Sequence, residues 1–550
     1  MKTLLGIMLV AVNCISCSRS TDRTKFASQY KDSQQVVVSY HPLATEIGER
    51  ILSAGGNAFD AFVATTLAQY VLSEGVTSLA GPLGALIYDA KSQQVVYLDA
   101  GFNSPLDSSG RFDPNNPDAT AGAAAFVPGA PAGLEAISQR FGSLPFAKVV
   151  EPAIELARNG FPITDLMTRS IGLYSAALKR SEYGRSTYLG SGNPLVAGQW
   201  LKLPVLAQTL EEIANHGSSY MYSGAWASDA VAQVRAKGGK LTLLDFGRYQ
   251  AEWKPALAID YRGTRIYAPS GKSYGGLTTL LALKALENAP LGGAHFSQDG
   301  DVLEKVVRAE DWAEAFTQAY SSWNRGMLLD DRDYIQSQID LDARIIWEKV
   351  ERHLSPSGGA SGGTHSYQVV VMDRFGNAIT GTNTIESLPW AQGIFVEGIP
   401  LTDSGMLGDQ TSPGERNLMP FSMHIGMKGS RVGFAVGAFG ASLIPAELQY
   451  VLNAADYGMS AADATSSPRF GIEGIDLGTF KPTGKGRWLD RRIAGSVVAQ
   501  ASALGLKLDQ DGIAINGHQH YMDLGLGSIG IRRDDGTIDS AIAPLSVDPN

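Results

Sequence analysis

Two hydroxyl side chains, Thr364 and Ser366, stand between a flexible segment and an apolar run. Residues 354–363 read Leu-Ser-Pro-Ser-Gly-Gly-Ala-Ser-Gly-Gly, a composition typical of a flexible linker. Residues 367–373 follow at once, with the composition of a buried β-strand. A linker that ends abruptly at a buried strand is what a self-cleaving chain needs, although an ordinary surface loop has the same composition.

The other residue types that often do chemistry form no comparable pattern. The 8 histidines fit neither an H-E-x-x-H zinc motif nor a hydrolytic triad. The 2 cysteines, Cys14 and Cys17, both lie near the N-terminus, so we expect no internal disulfide and no cysteine metal site. The net charge of -10 argues against nucleic acid as a partner, because a phosphate backbone requires a basic surface.

The first residues resemble an export signal. Lys2 supplies a positive charge, and residues 4–12 form an apolar run that is too short to span a bilayer. Ser16 before Cys17 resembles a bacterial lipobox with Cys17 as the lipidated residue, although Cys14 stands where an aliphatic residue is usual. We therefore expect an exported protein, in the periplasm or at the cell surface, that meets a membrane only through a lipid anchor. Simple secretion and a non-cleaved membrane anchor are the alternatives.

The elements that must position the two hydroxyls can be predicted from periodicity and capping residues. Pro42 marks one helix start, and Asn57 is a good N-cap for the next helix, which carries an apolar stripe. The predicted helices cover residues 41–54, 57–71, 133–141, 146–159, 205–216, 225–237 and 276–287. The predicted strands cover residues 85–88, 94–98, 253–267, 367–373 and 378–385. The last two form a hairpin.

Over most of its length the sequence resembles the gamma-glutamyltransferase family. Matching segments follow the family's order from about residue 35 to the C-terminus. They are residues 44–49, 55–61, 127–133, 152–161, 222–224, 261–263, 269–276, 373–378, 384 and 437–442. The resemblance implies an α+β fold, the four-layer αββα sandwich of the N-terminal-nucleophile hydrolases. It also implies that the chain cuts itself into two subunits and uses neither a metal nor an organic cofactor.

The implied organisation has three parts. Residues 1–17 are a signal peptide with a lipobox-like end, residues 18–365 are the large-subunit region with the linker at its end, and residues 366–550 are the small-subunit region. A hydroxyl at the cleavage point first attacks the preceding carbonyl group. Its freed α-amine then acts as its base, because an α-amine with a pKa near 8 is partly unprotonated at neutral pH.

Ser366 is favoured over Thr364 as this nucleophile. Counting back without gaps from Asp373 places the family's threonine on Ser366. Thr364 would need two extra residues at the start of the strand, a displacement of about 7 Å, which chemistry does not tolerate unless the site moves too. Serine departs from the family's threonine, but a primary hydroxyl can do the same chemistry. Thr364, or no active nucleophile at all, remains an alternative.

The resemblance assigns two further parts of the machinery. Thr384 matches a threonine that hydrogen-bonds the nucleophile and helps autoprocessing, although threonine is also common in plain β-strands. Gly440 and Ala441 match the paired glycines whose backbone N–H groups stabilise the substrate oxyanion. A simple turn at residues 437–442 is the alternative.

The residues with which the family binds a γ-glutamyl group are replaced. The arginine falls on Gly101, the paired serines on Met419 and Pro420, the aspartate near Leu407, and the asparagine on Glu386. Loss of a bidentate arginine–carboxylate contact weakens binding strongly, and apolar residues would desolvate the charged substrate without pairing it. The altered pocket, with Trp390 and Phe421 as further walls and Glu386 or Asp403 as a polar handle, suits an apolar or cationic acyl group. Each of these residues alone could be core packing.

Three hypotheses follow. The first is an amidase or acyltransferase with an acyl-Ser366 intermediate, acting on a small-molecule or peptide amide whose acyl group is not γ-glutamyl. The second is a true gamma-glutamyltransferase or glutathione hydrolase with a rebuilt clamp. The third is a non-catalytic surface protein of the same fold, which would remain an uncut chain.

Overall fold

A computed structural model describes residues 34–73, 75–190, 194–289, 291–352, 366–404, 412–476, 481–511, 514–515, 518–519 and 524–544. Its strands are β1 (Val36–Ser39), β2 (Leu83–Asp89), β3 (Gln94–Ala100), β4 (Phe161–Pro162), β5 (Trp200–Leu201), β6 (Glu252–Pro255), β7 (Leu257–Tyr261), β8 (Thr264–Ala268), β9 (Ser366–Met372), β10 (Ala378–Thr384), β11 (Phe395–Val396), β12 (Ile399–Pro400), β13 (Met423–Lys428), β14 (Arg431–Phe439), β15 (Phe470–Asp476), β16 (Lys481–Leu489), β17 (Leu508–Asp509), β18 (Ala514–Ile515), β19 (His518–Gln519), β20 (Leu526–Arg532) and β21 (Ile538–Ile542).

The α-helices are α1 (Pro42–Ser53), α2 (Ala58–Leu72), α3 (Pro117–Thr120), α4 (Ala130–Phe141), α5 (Phe146–Asn159), α6 (Asp165–Leu173), α7 (Ser175–Leu178), α8 (Glu182–Tyr188), α9 (Pro204–His216), α10 (Ser219–Tyr222), α11 (Ala225–Ala236), α12 (Leu243–Gly247), α13 (Tyr274–Leu286), α14 (Gly300–Ser322), α15 (Arg332–Ile339), α16 (Ala343–Arg352), α17 (Leu443–Ala455), α18 (Ala461–Ser466) and α19 (Gly495–Ala503). Two 3₁₀-helices cover Ala121–Ala124 and Trp323–Asp330. Within the described parts of the chain, no helix is both long and apolar enough to cross a membrane.

Two six-stranded antiparallel sheets form the centre of the molecule. The first sheet has the order β1-β9-β10-β2-β3-β6, and the second has the order β21-β20-β14-β13-β8-β7. The sheets pack face to face over a shared apolar core, to which the first sheet contributes Val370 and Met372 and the second contributes Met423, Ile425 and Ala435. Small sheets outside this sandwich pair β4 with β5, β11 with β12, β15 with β16 and β17, and β18 with β19.

Helices cover the outer face of each sheet. Helices α1, α2 and α4 pack on the first sheet, with α5 behind α2, and α13 and α17 pack on the second, with α14 behind α13. The layers therefore run helix, sheet, sheet, helix. The predicted α+β fold with four αββα layers is confirmed, because each sheet buries one face against the other sheet and the opposite face under helices.

Helix α2 begins where its capping residues predict. The Asn57 side chain accepts hydrogen bonds from the N–H groups of Phe59 and Asp60, and the Asp60 carboxylate accepts the Asn57 N–H in return. All 15 residues of α2 are buried, so the predicted apolar stripe is part of a helix that is buried on every side. The helix lies between the first sheet and other helices, which leaves it no face toward solvent.

The β9–β10 hairpin is held at its turn by Asp373. Its carboxylate accepts the backbone N–H of Asn377 at 3.0 Å and that of Ala58 at 2.9 Å, which joins the turn to the start of α2. Gly376 supplies the left-handed backbone that the turn requires, with φ +91°. The far end of this hairpin, where β9 begins and β10 ends, carries the predicted nucleophile.

Candidate active site

Ser366 and Thr384 lie directly opposite each other. Ser366 opens β9, Thr384 closes β10, and the two residues are paired in the antiparallel register. Strand alternation places both side chains on the face that looks into the sandwich, the face that also carries Val370. Directly opposed residues have Cβ atoms about 4.5–5.5 Å apart, so the two hydroxyls can interact. The alternative nucleophile Thr364 lies outside the described residues.

A hydrogen-bonded ladder below Ser366 fixes β9 against the second sheet. The Gln368 amide donates to Thr380 Oγ1 at 2.7 Å and accepts from the Thr382 hydroxyl at 2.6 Å. The Thr380 hydroxyl donates to the carbonyl of Val436, in β14, at 3.1 Å. Gly437 leaves the space for this ladder, because a Cβ there would lie 1.8 Å from Gln368 Nε2. The start of β9 is therefore held beside the end of β14.

The segment that we call the oxyanion loop, residues 440–442, connects β14 to α17. Gly440 has φ +97°, and its carbonyl accepts the N–H of Leu443 at 3.2 Å. Ser442 precedes the helix, and its hydroxyl accepts the N–H of Ile472 at 3.0 Å. Helix α17 is 13 residues long, so its N-terminal amides and dipole favour an anion beside the loop.

Gly81 packs behind Thr384 and was not predicted as part of the site. A Cβ at this position would lie 2.0 Å from the Thr384 carbonyl oxygen, a distance that no real contact reaches. Its lack of a side chain is what allows β10 to end where Thr384 faces Ser366.

Glu386 follows Thr384 in a strained conformation. Its backbone has φ +55°, and its N–H donates to Thr384 Oγ1 at 2.8 Å. The side chain is buried, its Oε2 has no hydrogen-bond partner among the described residues, and burial raises its pKa to about 8. Trp390 and Ala391 also have left-handed backbones, at φ +57° and +48°. Such conformations cost about 1–2 kcal/mol each, and strain of this kind concentrates at functional sites.

A second buried acid lies near Glu386. Asp403 is 1% exposed, its Oδ2 accepts a hydrogen bond from the Gln392 amide at 2.7 Å, and its Oδ1 has no hydrogen-bond partner in the described chain. Burial raises the pKa of Asp403. The neighbouring Thr402 hydroxyl donates to the carbonyl of Ile385 at 2.9 Å, which ties this segment to the Glu386 backbone. The two predicted polar handles are thus brought into one region.

Gly101 stands at the position of the family's arginine, and the side chain of Arg416 lies in the space beside it. A Cβ on Gly101 would lie 3.1 Å from Arg416 Cδ and 3.2 Å from Asp99 Oδ1. The Arg416 guanidinium donates to the Gly101 carbonyl, to the Tyr249 hydroxyl and to the Gln250 carbonyl. Arg416 also donates to Glu252 and lies 3.5 Å from Asp99, so its charge is paired within the protein, and a second arginine at Gly101 would be crowded from its first side-chain atom.

The two residues at the serine positions are parts of the core. Met419 is 1% exposed and packs between the sheets, and its backbone pairs with Lys272 and Tyr274 through bonds of 2.9 and 3.0 Å. Pro420 is also buried. The wall residue Leu407 lies outside the described residues, as does Cys17.

Only one group of carboxylates in the described chain has the spacing of a metal site, formed by Glu310, Asp311 and Glu314. The Arg487 guanidinium donates to Glu310 and Asp311. A cation already occupies the centre of this cluster, so its residues do not fit a metal ion.

Similarity to known proteins identifies the family of the chain. The profile of the gamma-glutamyltranspeptidase family matches residues 44–521. The glutathione hydrolase proenzyme of Escherichia coli (strain K12) is 30% identical over 482 residues, which are 80% of this chain and 80% of the relative. The acylase ACY 1 proenzyme of Pseudomonas sp. (strain SE83) is 28% identical over 479 residues, 80% of this chain and 83% of the relative.

The fold is also that of a solved structure. The crystal structure of cephalosporin acylase from Bacillus halodurans superposes with a TM-score of 0.77 at 21% identity, over 98% of each chain. A likeness at this identity establishes the fold and not the substrate. The chain belongs to the gamma-glutamyltranspeptidase family of N-terminal-nucleophile hydrolases, and it is an enzyme of that type.

Proposed function

We propose that the chain is an autoprocessed amide hydrolase or acyltransferase that forms an acyl-Ser366 intermediate with an acyl group other than γ-glutamyl. The observation that carries the proposal is the direct pairing of Ser366 with Thr384 on the interior face of the sandwich. The oxyanion loop lies at the neighbouring end of β14. A nucleophile, its hydroxyl partner and an anion-favouring helix terminus thus occur together.

Maturation would proceed by attack of Ser366 Oγ on the carbonyl carbon of His365. The peptide C–N bond breaks, the nitrogen becomes the Ser366 α-amine, and an ester joins the two residues. Water then hydrolyses the ester, which leaves a carboxylate on His365 and a free amine on Ser366. Thr384, opposite the nucleophile, is the residue that can orient the Ser366 hydroxyl in both stages.

In turnover, the Ser366 α-amine would accept the proton from Oγ as Oγ attacks the amide carbonyl of the substrate. The negative charge that develops on the carbonyl oxygen would be stabilised at the oxyanion loop. The leaving amine takes the proton, and the acyl group stays on Ser366. Water or an acceptor amine then releases it and regenerates the serine.

The pocket supports an acyl group that is not γ-glutamyl. A substrate α-carboxylate needs a cation that is free to pair with it, and Arg416 already makes four hydrogen bonds within the protein, one of them to Glu252. A side chain at Gly101 would meet Arg416 at its first atom, 3.1 Å from Cδ. The second hypothesis, a true gamma-glutamyltransferase, therefore lacks at this position a hydrogen-bond donor for the substrate α-carboxylate.

The two buried acids support an acyl group that carries a positive charge or a strong hydrogen-bond donor. Glu386 Oε2 lacks a hydrogen-bond partner in the described chain, and Asp403 Oδ1 lacks one as well, although Ser387, Gln392 and Arg180 already stabilise the Asp403 carboxylate. A buried carboxyl oxygen without a partner is costly, and a cationic ligand group would remove that cost. We prefer the cationic substrate to the purely apolar one for this reason.

Three chromogenic amides test the proposal. Purified protein would be assayed with the p-nitroanilides of γ-glutamic, glutaric and 6-aminohexanoic acids, and the acyl-enzyme would be sought by mass spectrometry of the small fragment. We expect hydrolysis of the amine-bearing amide to exceed that of the γ-glutamyl amide, with the adduct on Ser366. The variant Ser366→Ala should be inert and Thr364→Ala active. Preferred hydrolysis of the γ-glutamyl amide would support the second hypothesis instead.

Export with lipid attachment at Cys17 remains a separate proposal, supported by the sequence of residues 1–17. Expression of the full chain in a bacterial host, followed by fractionation, tests it. The chain should partition with membranes, and Cys17→Ala should release it or block its maturation. Equal partitioning of both forms would contradict the lipid anchor.

A further inference from the structure

A buried histidine–glutamate pair lies outside the chemistry described so far. His424 Nδ1 and Glu447 Oε1 are 2.8 Å apart, and both side chains are 0% exposed. The second polar atom of each residue, His424 Nε2 and Glu447 Oε2, has no hydrogen-bond partner among the described residues. A polar pair in a dry interior is costly to keep, so its place in the fold is informative.

The pair joins the two segments that build the site. His424 is the second residue of β13, which follows the pocket residues Met419 and Pro420, and it pairs in register with Val436 of β14. Glu447 lies in the second turn of α17, just after the oxyanion loop. Strand β14 precedes that loop and α17 follows it. Because β13 pairs with β14, the contact between His424 and Glu447 connects the strand before residues 440–442 to the helix after them.

We infer that His424 and Glu447 are positioning residues, which set the oxyanion loop against the acyl pocket through their shared hydrogen bond. The inference rests on the proposed function, because it concerns the same site. Other polar side chains of α17 bind elsewhere: Gln449 exchanges hydrogen bonds with Phe470 of β15, and Asn453 bonds His295. The 2.8 Å contact of Glu447 joins the start of α17 to β13 of the second sheet, next to the oxyanion loop. Displacements near 1 Å at a reacting centre can change a rate by about 100-fold.

Burial favours the neutral form of both partners, because it lowers the pKa of His424 to about 3 and raises that of Glu447 well above its usual value. A protonated carboxyl can donate to an unprotonated Nδ1 at this distance. An amide side chain can also donate there, so Glu447→Gln retains the bond, whereas Glu447→Leu removes it and leaves Nδ1 unpaired.

The test compares four variants by kcat and KM, using the p-nitroanilide that the unmodified chain hydrolyses fastest, together with thermal unfolding. Glu447→Leu should lower kcat about tenfold or more and leave KM nearly unchanged, because the oxyanion forms only in the transition state. Glu447→Gln should stay close to the unmodified chain. The double variant His424→Met with Glu447→Leu should recover thermal stability, since no polar group is left unpaired, without recovering kcat.

Asn453→Leu is the matched control. It removes a hydrogen bond from another buried histidine, His295, to the same helix, 2.9 Å long but near the far end of α17. It should lower stability and leave kcat unchanged. Recovery of kcat by the double variant, or an equal loss of kcat in Asn453→Leu, would show that the pair is merely structural and would overturn the inference. An unmodified chain that is uncut and inert toward every amide would instead overturn the proposed function, and the inference with it.

Discussion

The burial of Glu386 predicts a pH-dependent stability that a single substitution removes. In the folded chain its pKa is about 8, against an ordinary value of 4.5. Between these values the folded state holds a proton that the unfolded state releases, so the free energy of unfolding falls as the pH rises. Glu386→Gln carries no titrating proton. The gain in stability that this variant shows over its parent should therefore be small at about pH 5 and largest above about pH 8.

The size of the effect follows from the two pKa values. Their difference, at about 1.36 kcal/mol for each pH unit, corresponds to roughly 5 kcal/mol. With about 2.1 cal/mol/K of unfolding entropy per residue over 550 residues, this energy corresponds to a shift of about 4 °C in the thermal midpoint. The cost of burying the glutamine amide is the same at every pH and cancels from the comparison.

The assay is calorimetric unfolding at about pH 5 and about pH 8.5, in a Ser366→Ala background that keeps the chain in one piece. Glu397→Gln is the matched control. Glu397 also has a left-handed backbone, with φ +47°, but it is only partly buried and its carboxylate accepts a hydrogen bond from Tyr220 at 2.8 Å. A difference between Glu386→Gln and its parent that is the same at both pH values would refute the reasoning.

Three further substitutions test the geometry of the site. Gly440→Ala forces a side chain onto a backbone with φ +97°, so it should cost about 1–2 kcal/mol of stability and lower kcat more than KM; an unchanged kcat would argue against the oxyanion role. Gly101→Arg should destabilise the protein by about 1–3 kcal/mol without gaining γ-glutamyl hydrolysis, because its first side-chain atom already meets Arg416; a gain with γ-glutamyl-p-nitroanilide would contradict this. Gly81→Ala should displace Thr384 and slow self-cleavage, measured as loss of intact chain by electrophoresis, whereas normal cleavage would show that this contact is dispensable.

Local patterns were sufficient for the elements that carry their own signals. The periodicity over residues 146–159 predicted α5 at its observed bounds, and Asn57 marked the start of α2 through its capping bonds. The β9–β10 hairpin was predicted to within one residue at each end. Capping residues, apolar periodicity and turn residues act over a few positions, so they can be recognised in a single sequence.

The contacts that distinguish this site from that of the family join residues that are far apart in the sequence. Arg416 reaches Gly101 across 315 positions of sequence, and nothing near either residue predicts that one will fill the space of the other. Glutamate carries no sequence signal for a left-handed backbone, so the strain at Glu386 was not foreseen. The His424–Glu447 pair was missed because its partners stand on a strand and a helix that only the tertiary fold brings together.

The intact mass of the purified protein, with the N-terminal sequence of each fragment, tests the central claim most directly. The account predicts two fragments, the smaller of which begins at Ser366. A smaller fragment that begins at Thr364 would contradict the assignment of the nucleophile. A single uncut chain that retains the mass of the full precursor would contradict the proposed self-cleavage and favour the non-catalytic hypothesis.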